Sequence, residues 1–156
     1  MTRWAKKLPL VLLVGFLVGI PPRALAAPNR CTLQVSPIVF PPYNPFSPFG
    51  AQAHGSLVYN CTQSHPIVIL LGPGSGNSIW ARHMVHGTSR LRYNLFLDAA
   101  GGIIWGDRTG GSQSYFNPAP PPNVNVTVPV YGRIPALQTS AVAGAYEDTV
   151  VVTLVF

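Results

Sequence analysis

Three stretches of strict alternation constrain this 156-residue chain more than any other feature. In Arg90–Asp98, Leu91, Tyr93, Leu95 and Leu97 share one face; Arg90, Arg92, Asn94 and Asp98 lie on the other, with Phe96 among them. Val124, Val126, Val128 and Val130 alternate with Asn123, Asn125, Thr127 and Pro129. From Tyr146 to Phe156, the residues Val150, Val152, Leu154 and Phe156 fall on one face. Successive side chains of a strand point to opposite sides of the sheet, so a period of two marks half-buried strands and not the stripe of a helix. Further strand signals lie at Thr32–Phe40, His54–Cys61, Pro66–Leu71, Ile103–Trp105 and, more weakly, Ile79–Val85. The unbroken run Ile67–Leu71 has the pattern of a strand covered on both faces. Seventeen prolines and 15 glycines punctuate these segments. Pro129, inside its own strand, predicts an edge or a bulge there. Seven or eight short strands in about 130 residues predict an all-β, antiparallel β-sandwich.

The first residues carry a different message. Arg3, Lys6 and Lys7 precede the apolar run Leu8–Ile20, and Pro21-Pro22 and the small-residue site Ala24-Leu25-Ala26 follow it. This is the order of a cleavable secretory signal peptide. Its 13 apolar residues fall short of the roughly 20 that a membrane-spanning helix needs. The expected layout is a signal over residues 1–26 and one β-sandwich domain over 27–156, exported through a periplasm to the cell surface or the medium. Past the leader, Arg30, Arg82, Arg90, Arg92, Arg108 and Arg133 face Asp98, Asp107, Glu147 and Asp148, a net of +2. The pI of 9.8 therefore belongs mostly to the leader and argues for no nucleic-acid partner. In an exported chain, Cys31 and Cys61 read as one disulfide. The loop of about 30 residues that it closes is worth roughly 3–4 kcal/mol in the chain-entropy account.

Catalytic chemistry finds little to work with. His83 and His86, three apart on a strand, face opposite sides and cannot chelate together; His54 and His65 are isolated. Asp98 and Asp107 read as turn residues, and Asp148 as a local hydrogen-bonding residue near a strand start, rather than as a paired-carboxylate site. No Gly-x-Ser-x-Gly elbow surrounds a serine. Gly72–Gly76 lacks the Lys-Ser/Thr of a phosphate loop and reads as a hairpin turn. Asn60-Cys61-Thr62 and Asn125-Val126-Thr127 are formal glycosylation sequons, read as coincidental in a bacterial exported protein. The chain reads as non-enzymatic, with no metal and no cofactor. Trp105, Tyr131 and Tyr146 read as core and corner packing. Two stiff segments rich in Pro and aromatics, Pro41–Gly50 and Gly110–Pro122, stand apart as loops. Their Phe46, Phe49, Tyr115 and Phe116 form a candidate contact surface for another protein or an abiotic surface, unless they fold back over the sandwich end.

An ordered series of short signatures carries a resemblance. Cys31 opens a strand, with Phe40 and Tyr43-Asn44-Pro45 after it, and Cys61-Thr62 ends the next. Gly72, Arg82 with Met84, Leu91-x-Tyr93-Asn94-Leu95-Phe96 and Trp105-Gly106-Asp107 follow. The series ends with Tyr131-Gly132-Arg133-Ile134 and Gly144-x-Tyr146-x-Asp148-Thr149-Val150. In this order the chain resembles the spore coat protein U domain family, which includes subunits of archaic chaperone–usher pili. The resemblance implies an incomplete immunoglobulin-like sandwich that lacks its final strand. A periplasmic chaperone would fill the groove first, and a neighbouring pilin-like subunit would replace it at an outer-membrane usher. Val150, Val152, Leu154 and Phe156 would then form the acceptor-groove strand. One departure matters: only Ala27–Arg30 separate the predicted cleavage site from Cys31. At about 3.3 Å each, these residues reach roughly 13 Å, whereas a donor strand needs on the order of ten residues. The chain is thus expected to accept a strand but not to give one, to stand at a fibre terminus, and not to polymerise with itself. The family's tip adhesins usually carry an additional domain, which is not expected in this chain, and that leaves room for a non-fibrous coat component. The alternative is a stand-alone secreted adhesin or binding module that uses the Pro/aromatic loops.

Overall fold

The computed structural model describes residues 28–156; the signal-peptide reading of residues 1–26 lies outside them. The described residues form nine strands: β1 (Cys31–Val35), β2 (Ala51–Cys61), β3 (Ile67–Leu71), β4 (His83–His86), β5 (Ser89–Arg92), β6 (Asn94–Phe96), β7 (Tyr115–Asn117), β8 (Val126–Ile134) and β9 (Val152–Val155). One sheet runs β1-β2-β8-β6, a second runs β7-β3-β9, and β4 and β5 form a separate hairpin. All these pairings are antiparallel. Leu57, Tyr59, Val128 and Val130 of the first sheet meet Ile67, Ile69 and Leu71 of the second in one core, together with Met84, Leu91, Tyr93, Leu95 and Trp105. This is the expected all-β sandwich, with apolar inner faces packed together.

Alternation predicted burial well and hydrogen-bond partners less well. Leu91, Tyr93 and Leu95 are all buried. Yet Arg90–Asp98 is not one strand of one sheet: β5 pairs with β4, β6 pairs with β8, and Tyr93 sits at the changeover. The expected strand Ile79–Val85 opens as a 3-10 turn, Ile79–Ala81, and becomes extended only at His83. Gly72–Gly76 is not a hairpin turn, because β3 and β4 belong to different sheets. The loop Gly110–Pro122 holds a strand, β7, whose Phe116 lies opposite Val68.

The first strand ends early, at Val35, and Pro37 can donate no ladder hydrogen bond. The chain then crosses the first sheet at two glycines. A Cβ at Gly55 would meet Ile38 at 2.8 Å, and one at Gly132 would meet the Phe40 ring at 2.7 Å. Cys31 and Cys61 lie directly opposite each other in the β1–β2 register and are joined by a disulfide, with Cα atoms 4.1 Å apart. Pro129 sits inside β8, opposite Ser56. The Ser56 carbonyl accepts from the Ser36 N–H at 2.9 Å, so Ser56 turns its main-chain groups toward β1. Its pair with Pro129 is therefore of the non-hydrogen-bonded kind, and the proline nitrogen faces the β6 side of β8, in a stretch beyond the end of β6, whose pairing stops at Tyr131. There β8 is locally an edge.

Candidate functional site: an open edge between the sheets

β1 is the outermost strand of the first sheet and β9 of the second. Between them lies a groove of about 440 Å³. Val35, Ile38 and Phe40 line one wall, the segment Tyr146–Val152 lines the other, and core residues such as Leu57, Leu95 and Val130 reach it from below.

The main chain of the second wall has a consistent parity. Gly72 N–H donates to the Val151 carbonyl at 2.9 Å, and Thr153 and Val155 lie opposite Leu70 and Val68. Glu147 exchanges two main-chain bonds with Val85, at 2.8 and 3.1 Å. Glu147, Val151, Thr153 and Val155 therefore turn main-chain groups toward β4 or β3, while the Thr149 N–H between them goes to Asp148 Oδ1. Val150, Val152 and Leu154 turn theirs toward the open side, while their side chains face the core. β1 obeys the same rule: its bonded register runs through Ser36, so Leu33 and Val35 direct main-chain groups outward. Val150 and Val152 line the groove, and Leu154 continues the same edge. Phe156 lies past the last ladder pair, Val68 with Val155, and is 54% exposed.

A polar node ties this wall to the body of the sandwich. Tyr93 Oη donates to Asp148 Oδ2 at 2.6 Å. Asp148 Oδ1 accepts from the Ser75 N–H and hydroxyl, both at 2.7 Å, and from the Thr149 N–H at 2.8 Å. Gly74, at φ +65°, packs against that carboxylate. Burial, then the bond to Asp148, push the Tyr93 phenol well above its ordinary range, so it stays a donor. Beside it Arg82 is buried and has no carboxylate in contact. Its guanidinium donates to the carbonyls of Leu71, Gly72 and Trp105 and to Asn94 Oδ1. Burial lowers its pKa, which the nearby Tyr93 and Asp148 partly oppose. Asp148 makes the local hydrogen bond expected of it, but its bonds to Ser75 and Tyr93 span 73 and 55 residues and have no local signature. Arg82, seen in the sequence only as part of a signature, is the buried cation that collects carbonyls from both halves of the fold.

The remaining acids are turn residues. Asp98 accepts from the Gly102 and Ile103 N–H groups at 3.0 and 2.7 Å, and those bonds hold it below the usual carboxylate range. Asp107 is held low by the hydroxyl and N–H of Thr109. Among the described residues no three His, Cys, Asp or Glu side chains converge as a metal site. Trp105 is fully buried and donates from Nε1 to the Ile69 carbonyl at 2.9 Å. The Tyr146 hydroxyl donates to the Val142 carbonyl at 2.9 Å.

The aromatic loop residues separate into two kinds. Phe46 and Phe49 are 70% and 79% exposed, on turns held by bonds from their N–H groups to Asn44 Oδ1 and Ser47 Oγ. Phe116 is also exposed. Tyr115 is half-buried, its ring packed 6.2 Å from those of Tyr59 and Trp105. Burial, together with the Tyr115 hydroxyl, pushes the Tyr59 pKa up to about 12.

These features define a class, the all-β, immunoglobulin-like antiparallel sandwich. Residues 20–153 match the Spore Coat Protein U domain, and the chain belongs to that family. Protein U of Myxococcus xanthus is 34% identical over 110 residues, which cover 65% of this chain and 59% of that protein. The chain thus spans less than two thirds of the length of that relative. Among solved structures, the fold is similar to a chain of the CsuC–CsuE chaperone–tip adhesion subunit pre-assembly complex from the archaic chaperone–usher Csu pili of Acinetobacter baumannii. The TM-score is 0.58 at 21% identity, over 82% of this chain and 40% of that one.

Proposed function

We propose that this protein is a non-enzymatic structural subunit of a bacterial surface assembly, a pilus or a coat, and that it receives an extended strand from another chain between β1 and β9. One observation carries this reading. Two unpaired sheet edges flank a single apolar groove, and the even-numbered residues of one wall turn their main-chain groups into it. Open edges of this kind bind by β-augmentation: main-chain hydrogen bonds supply affinity, and alternate side chains fill the groove. The partners proposed are a periplasmic chaperone and then, at an outer-membrane usher, a neighbouring pilin-like subunit; likeness to a chain of a chaperone–subunit complex supports them. Export through the periplasm, with residues 27–156 as the mature domain, is part of the same proposal and is supported by the predicted leader.

The same reading makes the subunit an acceptor only. The Arg30 N–H donates to Thr62 Oγ1 at 3.0 Å, and Asn29 Oδ1 accepts from the Thr62 hydroxyl and the Gln63 N–H. With cleavage after Ala26, the few residues ahead of Cys31 are thus tied to the domain's own end and cannot serve a neighbour. The protein then occupies a terminal position and does not self-polymerise. Exposed Phe46 and Phe49 favour a second reading, a secreted adhesin that uses those loops. Expression of the full precursor with and without a chaperone from the same operon separates the two. Soluble protein that depends on the chaperone and remains bound to it one to one supports the acceptor reading. A cooperatively folding free monomer of ordinary stability, about 5–15 kcal/mol, favours the adhesin. N-terminal sequencing checks the start at Ala27, and linear homopolymers of the pure protein would overturn the terminal position.

A further inference from the structure

We infer that Trp80 is the stacking shelf of a saccharide-binding site, one that shares no residue with the groove between β1 and β9. The connection between β3 and β4 presents it on the 3-10 turn Ile79–Ala81. That turn is fixed at both ends: Ile79 and Arg82 are buried, and Asn94 Nδ2 of β6 donates to the Ile79 carbonyl at 3.1 Å. Trp80 itself is 55% exposed. Its one polar atom is already used, since Nε1 donates to the Gly110 carbonyl at 2.8 Å. The ring is thus held in one orientation, and what it offers a partner is a bare π face.

The loop that grips the indole is as fixed as the turn. A Cβ at Gly110 would come within 3.0 Å of Trp80 Nε1, so a side chain there would press on the ring. Arg108, just before, is held at φ +74°, a strained conformation for any residue but glycine. Local bonds keep it there. Asp107 accepts from the N–H and hydroxyl of Thr109, the N–H and hydroxyl of Ser112 both donate to the Thr109 carbonyl, and Arg108 Nε donates to Ser114 Oγ. The exposed side chains of the two segments that meet at the indole are Asn77, Ser78, Arg108 and Thr109, with Ala81 the one apolar group besides the ring. A protein hot spot surrounds its anchor aromatic with contacts that expel water. Here the surround is amide, hydroxyl and guanidinium. A sugar ring matches both parts: the C–H groups of one face lie on the indole, and its hydroxyls meet the polar rim.

The test titrates the purified exported protein with chitohexaose and with cellohexaose, followed by calorimetry and tryptophan emission. Past the predicted leader the chain has two tryptophans, and Trp105 is fully buried, so a change of emission on binding reports Trp80. At least one of the two sugars is expected to bind and to change that emission. Trp80→Ala should weaken its binding about tenfold or more, while Trp80→Phe, which keeps a smaller π face, should weaken it less. Emission from Trp105 checks that Trp80→Ala is folded; where it is not, Trp80→Phe decides, and it must still weaken binding. Binding of neither sugar overturns the inference, and so does binding that the Trp80 variants leave unchanged. Adsorption to bare polystyrene that Trp80→Ala abolishes, with neither sugar bound, also overturns it and assigns the ring to an apolar contact. The strand-accepting reading stands or falls apart from all of these, because its strand binds elsewhere.

Discussion

The two long flanks of the sandwich use the same kind of apolar, alternating strand and end differently. On the β6 flank, the segment from Ile103 to Gly106 stitches the sheets together. Leu97 N–H donates to Ile103 O, and Trp105 N–H to Leu95 O, both at 2.9 Å, which joins it to the first sheet. Leu71 N–H donates to Gly106 O at 3.1 Å, which joins it to the second. Buried Trp105 and Arg82 then consume the carbonyls left at that end. On the β1–β9 flank no described segment plays that part, and both edges face one groove. A buried main-chain group must find a partner or stay near water, so the first flank is finished and the second is poised for a strand from elsewhere.

Breaking the finished flank should cost most. Trp105→Ala removes a fully buried ring and the donor to Ile69; a loss of about 3–5 kcal/mol is expected in denaturant unfolding of the strand-complemented protein. A change below about 1 kcal/mol would mean that the stitching segment matters little. Cys31→Ser should follow, at roughly 2–4 kcal/mol, with mass spectrometry of the unreduced wild type finding no free thiol. It loosens the start of β1 and should therefore act on the β1–β9 flank rather than on the β6 flank.

A pair of prolines sharpens the contrast between edges. Thr153→Pro removes an N–H that bonds to β3, whereas Val152→Pro removes one that faces the groove. The first should cost the fold at least about 1 kcal/mol more; the second should act mainly on uptake of a strand peptide, read by titration. Equal effects on both measurements would show that the parity of this wall is misassigned.

The smallest effect is a pH dependence. Tyr59 and Tyr93 titrate higher in the folded chain than the ordinary 10.0 of a phenol. Above pH 10 the unfolded state loses these protons first, so the folded state binds more of them and stability falls as pH rises. Their contribution is complete below pH 10 and, for Tyr59, is lost as pH passes through about 12. Tyr93→Phe should flatten part of this alkaline fall in a pH series of unfolding midpoints; an unchanged slope would remove Tyr93 from the account.

Much of the molecule is legible in its residues. Leu91, Tyr93 and Leu95 announce a buried face, Cys31 and Cys61 announce their bond, and Asp98 and Asp107 announce turns. Ile38 and Phe40 read as part of a first strand because nothing in their own neighbourhood says that they will cross the sheet over Gly55 and Gly132. Tyr115 groups with the exposed loop aromatics because Pro and Gly around it hide a three-residue strand. Arg82 and its carbonyls lie 10 to 23 residues apart along the chain, a separation that no local pattern encodes.

Side-chain parity, meaning which residues of each strand face inward, is written into the sequence alone. It is a local property of the pleat, set in each short segment by the alternation of apolar and polar groups. Which strand lies beside which, where Arg90–Asp98 changes sheets, and which edge is left with main-chain groups unpaired are decided only in the tertiary structure. Hydrogen-bond partners along a ladder are chosen between distant segments, and a strand's side chains look the same whether its outer edge is filled or open.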